Sequence, residues 1–119
     1  MQSYRQIQDS EFLDRAFAAL SNPTRRAILQ RLAENAATVN QLAEPFDLTL
    51  PNISHHVKIL EKAGLIERSS SAQFRPCALQ PGGLALVSKW TDQCRKTWDA
   101  RFAKMDTVLN EMKEPDNDQ

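Results

Sequence analysis

Apolar residues along this chain recur mostly every third or fourth position, and the runs are interrupted where Ser, Asn, Thr, Pro or Gly supplies a start or a stop. That spacing is the signature of amphipathic helices. Ser10 is placed to cap a first helix carrying Leu13, Ala16, Phe17 and Leu20. It stops at Ser21-Asn22-Pro23, where Asn22 is a good cap for a second helix and Pro23 occupies a first helical position that needs no N–H. This second helix runs through Ile28, Leu29 and Leu32, with Arg25, Arg26 and Arg31 off the apolar stripe. Thr38 caps a short third helix over Val39–Ala43, ended by Pro45, with Phe46 and Leu48 packing the connection.

Thr49 caps the fourth helix. Steps of about 100° per residue put Leu50, Ile53, Val57 and Leu60 on one face. Pro51, His55, Lys58 and Lys62 fall on the opposite face, flanked by Asn52, Ser54 and Ile59. Gly64 stands where a left-handed residue ends a helix. Leu65–Arg68 and Phe74–Leu79 then predict a hairpin with the polar tip Ser69–Gln73. From Gly83 to Met112, Val87, Trp90, Cys94, Trp98, Phe102, Met105, Leu109 and Met112 keep a period close to 3.5. So long an apolar stripe exceeds what this small domain can cover fully; the helix either folds back on its own core or, the favoured reading, pairs with a second copy. The expected organisation is a flexible segment 1–9, one domain over 10–113 and an acidic tail over 114–119, without internal repeats.

Short helix, turn, amphipathic helix, glycine stop and polar-tipped hairpin, in that order, predict a mainly α fold with a small β wing: a winged helix-turn-helix. In that geometry the second helix of the pair enters the major groove of DNA, and its N-terminal residues reach base edges. Asn52, Ser54 and His55 are suited to base edges, and Lys58 and Lys62 to phosphates. On the wing, Arg68, Gln73 and Arg75 are the remaining candidates for contact with double-stranded DNA.

The segments SNPTRRAILQRLAE and TVNQLAEPFDLTLPNISHHVKILEKAGLIER, with FRPCALQP after them, resemble the ArsR/SmtB family of bacterial winged-helix repressors. The family's Ser-x-His-Leu signature stands here as Ser54-His55-His56-Val57, followed by Leu60, Ala63, Gly64 and Leu65. The resemblance spans about residues 10 to 112. PFDLTLP, RPCAL and the Trp90…Trp98 helix are similar to the subgroup without obvious metal ligands. It implies a homodimeric repressor, often of its own transcription, with the first and last helices at the dimer face. Leu13, Phe17, Val87, Trp90, Cys94, Trp98, Phe102 and Met105 would then form that interface. The wing departs from the family: Ala72-Gln73 stands where Gly-Arg is usual.

Composition changes this picture little. The 119 residues suit one domain, and 41% hydrophobic content allows a modest core. The 15 basic and 15 acidic side chains cancel, yet residues 106–119 carry Asp106, Glu111, Glu114, Asp116 and Asp118 against Lys113, and 49–79 carry Lys58, Lys62, Arg68 and Arg75 against Glu61 and Glu67. Because phosphate contacts are local, a neutral total is compatible with a basic face. No apolar run is long enough to span a membrane, and MQSYRQIQDSEF lacks the apolar stretch of a secretory leader. Two cysteines do not make a disulfide framework, so a reducing cytoplasm is the expected compartment.

Candidate chemistry is sparse. His55 and His56 point about 100° apart on a helix and cannot easily share a metal, which favours spacing of four. His55 falls on the exposed face; His56, at the edge of the buried face, is expected to make a structural hydrogen bond. Metal-sensing relatives place cysteines before the turn or Asp/His ligands on the last helix. Here residues 38–46 hold neither Cys nor His, and the last helix offers Asp92, Cys94 and Asp99 but no histidine. No metal or other cofactor is therefore expected. Cys77 and Cys94 could serve a thiol- or metal-responsive repressor, although isolated cysteines more often pack as small apolar residues. No phosphate loop or catalytic set is present, so no enzyme is expected. A winged helix that binds only proteins would show apolar or acidic residues over 51–62; this face is polar and basic. The residues name no effector and no operator.

Overall fold

The computed structural model describes residues 3–69 and 75–117. They form two compact units, one over 1–87 and one over 88–119. In the first, α1 (Tyr4–Leu20), α2 (Pro23–Leu32), α3 (Val39–Ala43) and α4 (Leu50–Lys62) precede β1 (Ile66–Arg68) and β2 (Cys77–Leu79). Helix α5 (Pro81–Asn117) starts in the first unit and makes up the second from Ser88 onward. The order is that of a winged helix-turn-helix.

The starts of the helices are chemically determined. Asn22 accepts from the Arg25 N–H and Pro23 opens α2. Thr38 and Gln41 exchange hydrogen bonds in a reciprocal capping box, and Thr49 accepts from the Asn52 N–H at 3.3 Å. At α1 the expectation is corrected: the cap is Ser3, not Ser10, and Gln6 returns its bond to the Ser3 N–H at 2.9 Å. Residues 4–9, expected to lie outside the helix, are part of it. A capping box satisfies two orphan donors at once, whereas Ser10 lies where helix propagation is already cheap. The last helix likewise outruns its predicted limits, opening at Pro81 and continuing past Glu114 to Asn117. Extending an existing helix requires no new nucleation.

Ile28, Leu42, Ile53, Val57, Leu60, Leu65 and Cys77 are fully buried at the centre of the first unit. Each large aliphatic side chain buried there contributes roughly 1.5–3 kcal/mol. Helix α1 adds Ala16 and Ala19, with Phe12 and Leu20 packed at the edge, so its core face is rotated from the Leu13–Phe17 stripe. Phe46 packs on this core, but Leu48 and Leu50 do not: they are 40% and 49% exposed. Leu50 is the first residue of α4, with no preceding turn to complete the buried stripe around it.

The wing strands pair antiparallel, Ile66 opposite Leu79 and Arg68 opposite Cys77. Cys77 also bridges Ala37, its N–H donating to the Ala37 carbonyl at 2.7 Å and its carbonyl accepting in return at 3.0 Å. The wing is thereby tied to the turn before α3. Residues 70–74, most of the predicted tip and the first residue of the predicted second strand, lie outside the described residues; Arg75 and Pro76, expected in that strand, precede it, and β2 begins at Cys77.

Two glycines join α4 to the start of α5. Gly64 has φ 78°, and the Leu65 N–H closes onto the Leu60 carbonyl at 3.0 Å, ending α4. A Cβ on Gly83 would lie 3.1 Å from the Gly64 carbonyl carbon and closer still to its oxygen. Since backbone cannot swing aside as a side chain can, Gly83→Ala is expected to lower stability by about 1–3 kcal/mol. A reduced urea midpoint at unchanged slope would show it; an unchanged midpoint would show that the two segments separate freely.

Candidate nucleic-acid interface

Helix α4 packs against α1, α2 and α3 through Ile53, Val57 and Leu60. The opposite surface leaves Pro51, Asn52, His55, Lys58 and Lys62 exposed, while Ser54 and Ile59 are half-buried. No acidic residue lies in the first turn. The positive end of the helix dipole, unopposed by a carboxylate, is thus presented beside Asn52. Asn52 offers both donor and acceptor atoms, and the two lysines offer only donors. The surface therefore carries hydrogen-bonding groups near the helix start and positive charge further along.

The adjacent histidines separate in role. Their ring centroids are 5.8 Å apart with planes tilted by 54°. His55 faces outward, whereas the His56 Nδ1 lies 3.2 Å from Arg25 Nη1. A guanidinium can only donate, so Nδ1 accepts and neutral His56 carries its proton on Nε2. Arg25 also donates from Nε to the Ala19 carbonyl at 2.7 Å and from Nη2 to Ala18 at 3.3 Å. Arg26 reaches the Leu20 carbonyl at 2.8 Å. Arg26 stays exposed and Arg25 is half-buried, and both satisfy the carbonyl end of α1. A cation in the first turn of α2 opposes that helix's own dipole, but it favours the C-terminus of its neighbour.

Burial lowers the His56 pKa below its ordinary value, and the nearby positive charge of Arg25 and His55 lowers it further. The unfolded chain therefore binds this proton more tightly than the folded one. Stability is expected to be fully present above about pH 6.5 and to decline as the pH falls from there through the lowered folded value. His56→Gln keeps an acceptor for Arg25 and should flatten that part of the profile, as read from urea midpoints between about pH 5 and 8. Identical profiles for both proteins would remove His56 as the cause.

On the wing, Arg75 is exposed in a left-handed conformation with φ 45°. Arg68 is half-buried, and its Nε is buried without a hydrogen-bond partner. Gln73 lies outside the described residues. The Ser69 N–H donates to the Pro76 carbonyl at 3.1 Å, and Gln80 Nε2 donates to Glu67 at the same distance.

In the second unit, α5 exposes its apolar stripe: Trp98 66%, Phe102 55%, Met105 61% and Met112 70%. The Trp98 and Phe102 rings lie 6.4 Å apart, centroid to centroid. Trp90 and Cys94 on the same stripe are also exposed. Val87, grouped with them by spacing, is half-buried and packs against the core of the first unit. On α1, Leu13 is half-buried and Phe17 is 39% exposed.

A model described as a helix-turn-helix domain matches residues 20–69. The chain is 40% identical to the HTH-type transcriptional regulator Rv2034 of Mycobacterium tuberculosis, over 62% of this chain and 69% of that one. It is 40% identical to the transcriptional repressor SdpR of Bacillus subtilis, over 52% of this chain and 69% of that one. It also superposes on the crystal structure of an ArsR family transcriptional regulator, RHA00566, with a TM-score of 0.68 and 38% identity, over 74% of this chain and 97% of the other. The chain belongs to the ArsR family.

ArsR-family proteins are helix-turn-helix transcriptional regulators, not enzymes. In this ArsR-family chain, no three of the described His, Cys, Asp and Glu residues gather as metal ligands would. Both described cysteines are free thiols: Cys94 is exposed, but Cys77 is fully buried, a poor position for a sensor that an oxidant must reach. No helix among the described residues is long and apolar enough to cross a membrane.

Proposed function

We propose that the protein is a homodimeric transcriptional repressor of the bacterial cytoplasm that binds an inverted repeat in double-stranded DNA. Helix α4 enters the major groove, with Asn52, His55 and the half-buried Ser54 toward base edges and Lys58 and Lys62 on phosphates. Arg68, Arg75 and Gln73 contact the backbone beside it. The observation carrying this reading is the exposed face of α4, where hydrogen-bonding groups precede two lysines and the first turn has no acidic residue. A repressor role is supported by likeness to SdpR, itself named a transcriptional repressor. The second copy would cover the exposed stripe of α5, together with Leu13 and Phe17 of α1.

The test is competition between a selected duplex and random duplexes. Asn52→Ala and His55→Ala should cost about 1–3 kcal/mol on the selected duplex and much less on random DNA. Lys58→Ala and Lys62→Ala should weaken both to a similar extent, because phosphates carry no sequence. Equal losses on both duplexes for the His55 change would remove it from base reading.

A further inference from the structure

Among the described residues up to Val87, the large hydrophobic side chains left exposed are Phe17, Leu48 and Leu50. Two of these three flank Thr49, the cap of α4. Scattered exposed leucines are ordinary, but two beside the start of α4, a helix with a polar, basic outer face, are placed where DNA would meet the protein. We propose that Leu50 reads the 5-methyl group of a thymine in the major groove. The proposal rests on α4 being the recognition helix.

The geometry supports it in three ways. A helical Cα–Cβ bond tilts toward the N-terminus, so a side chain at the first helical position projects past the end of the helix. The N-terminal end of a recognition helix is the part that approaches base edges. Leu50 is also 49% exposed, and the start of α4 is held by the Thr49 side chain, so neither the core nor the cap needs Leu50.

The thymine methyl is the apolar group that the major groove presents, and it is the natural partner of an aliphatic side chain there. Asn52, two residues further on and exposed, matches the paired acceptor and donor of adenine. Leu50 and Asn52 lie about 200° apart around the helix, so the methyl contact and the adenine contact would fall on different base pairs. The lysines further along α4 hold the helix against the flanking phosphates.

The experiment starts from duplexes enriched by in-vitro selection, with each thymine of a half-site replaced in turn by deoxyuridine. This removes the methyl group and leaves the Watson–Crick pairing and groove hydrogen bonds unchanged. At one thymine per half-site, the replacement should weaken wild-type binding about fourfold, the value of one buried methyl. Leu50→Ala should lose a similar factor or somewhat more on the thymine duplex, and it should no longer distinguish the two duplexes. Its thermal midpoint should match that of the wild type.

Wild-type binding that is indifferent to deoxyuridine at every position would overturn the proposal, with DNA recognition by α4 left standing. Full deoxyuridine sensitivity in Leu50→Ala would equally overturn it, by moving the methyl contact to another residue. A selection that enriches no sequence would instead defeat the recognition-helix reading, and this proposal with it.

Discussion

Trp98→Ala is expected to convert the protein from dimer to monomer at micromolar concentration without unfolding its first unit. Trp98 is 66% exposed in the single chain, so truncation removes little from packing within that chain. Once a second copy covers the ring, the same truncation costs about 3–5 kcal/mol, as for other buried aromatics. That is a factor of a hundred or more in the dissociation constant. Phe102, Met105 and Met112 share the stripe, and each is more than half exposed, so the apolar area to be covered extends well beyond one residue. The near-3.5 period of these positions suits helix-on-helix packing. Sedimentation should give a dimer for the wild type and a monomer for the variant. The wild-type thermal midpoint should rise with protein concentration, whereas that of the variant should not. A wild-type chain that sediments as a monomer at micromolar concentration would end the dimer reading.

Much of the fold was legible because its helices announce their ends. Asn22-Pro23, Thr38 and Thr49 are caps in the chain as in the structure, and Gly64 takes the positive φ that its position after α4 implied. Periodicity placed Ile53, Val57 and Leu60 in the core and His55, Lys58 and Lys62 outside. It failed at the edges of elements. Leu50 obeys the period but has no preceding helical turn to close over it, and Leu48 has none either. Val87 keeps the spacing of the α5 stripe and also packs, half-buried, on the first unit's core, a contact that period alone does not reveal.

The Ser3-x-x-Gln6 capping box was present in the residues but stood outside the first clear apolar run, and Ser10 took its place in the reading. Arg25 illustrates a different limit. Its spacing within α2 marks it as exposed, yet its partners are the Ala18 and Ala19 carbonyls and His56, on two other helices. Such a contact depends on how three helices pack. Its one sequence-level trace is a cation in the first turn of α2, where the helix's own dipole disfavours it. The structural bond expected of His56 could be anticipated from its angle on α4, but its partner could not.

Inserting about five base pairs between the half-sites of a selected operator is expected to collapse affinity. Two copies related by two-fold symmetry present two equivalent α4 helices, so half-site centres should lie about 10 base pairs apart, or a multiple of that. Adding half a turn rotates one half-site to the far side of the duplex, and only one α4 can then bind. The loss should return affinity toward the level of random DNA, and adding a further half turn should restore part of it only if the dimer can span the longer distance. Salt dependence supplies a second reading of the same interface. Lys58, Lys62, Arg68 and Arg75 remain as backbone candidates in each copy, whereas Arg25 and Arg26 are engaged with the carbonyl end of α1. If six to eight of these eight side chains in a dimer meet phosphates, log K should fall against log salt with a slope of about −5 to −7. With 15 basic and 15 acidic residues, the chain as a whole adds little further attraction, so binding to random DNA should be weak at physiological salt. Full affinity after the half-turn insertion would exclude symmetric docking of two recognition helices, and a slope near zero would exclude the basic face as the contact surface.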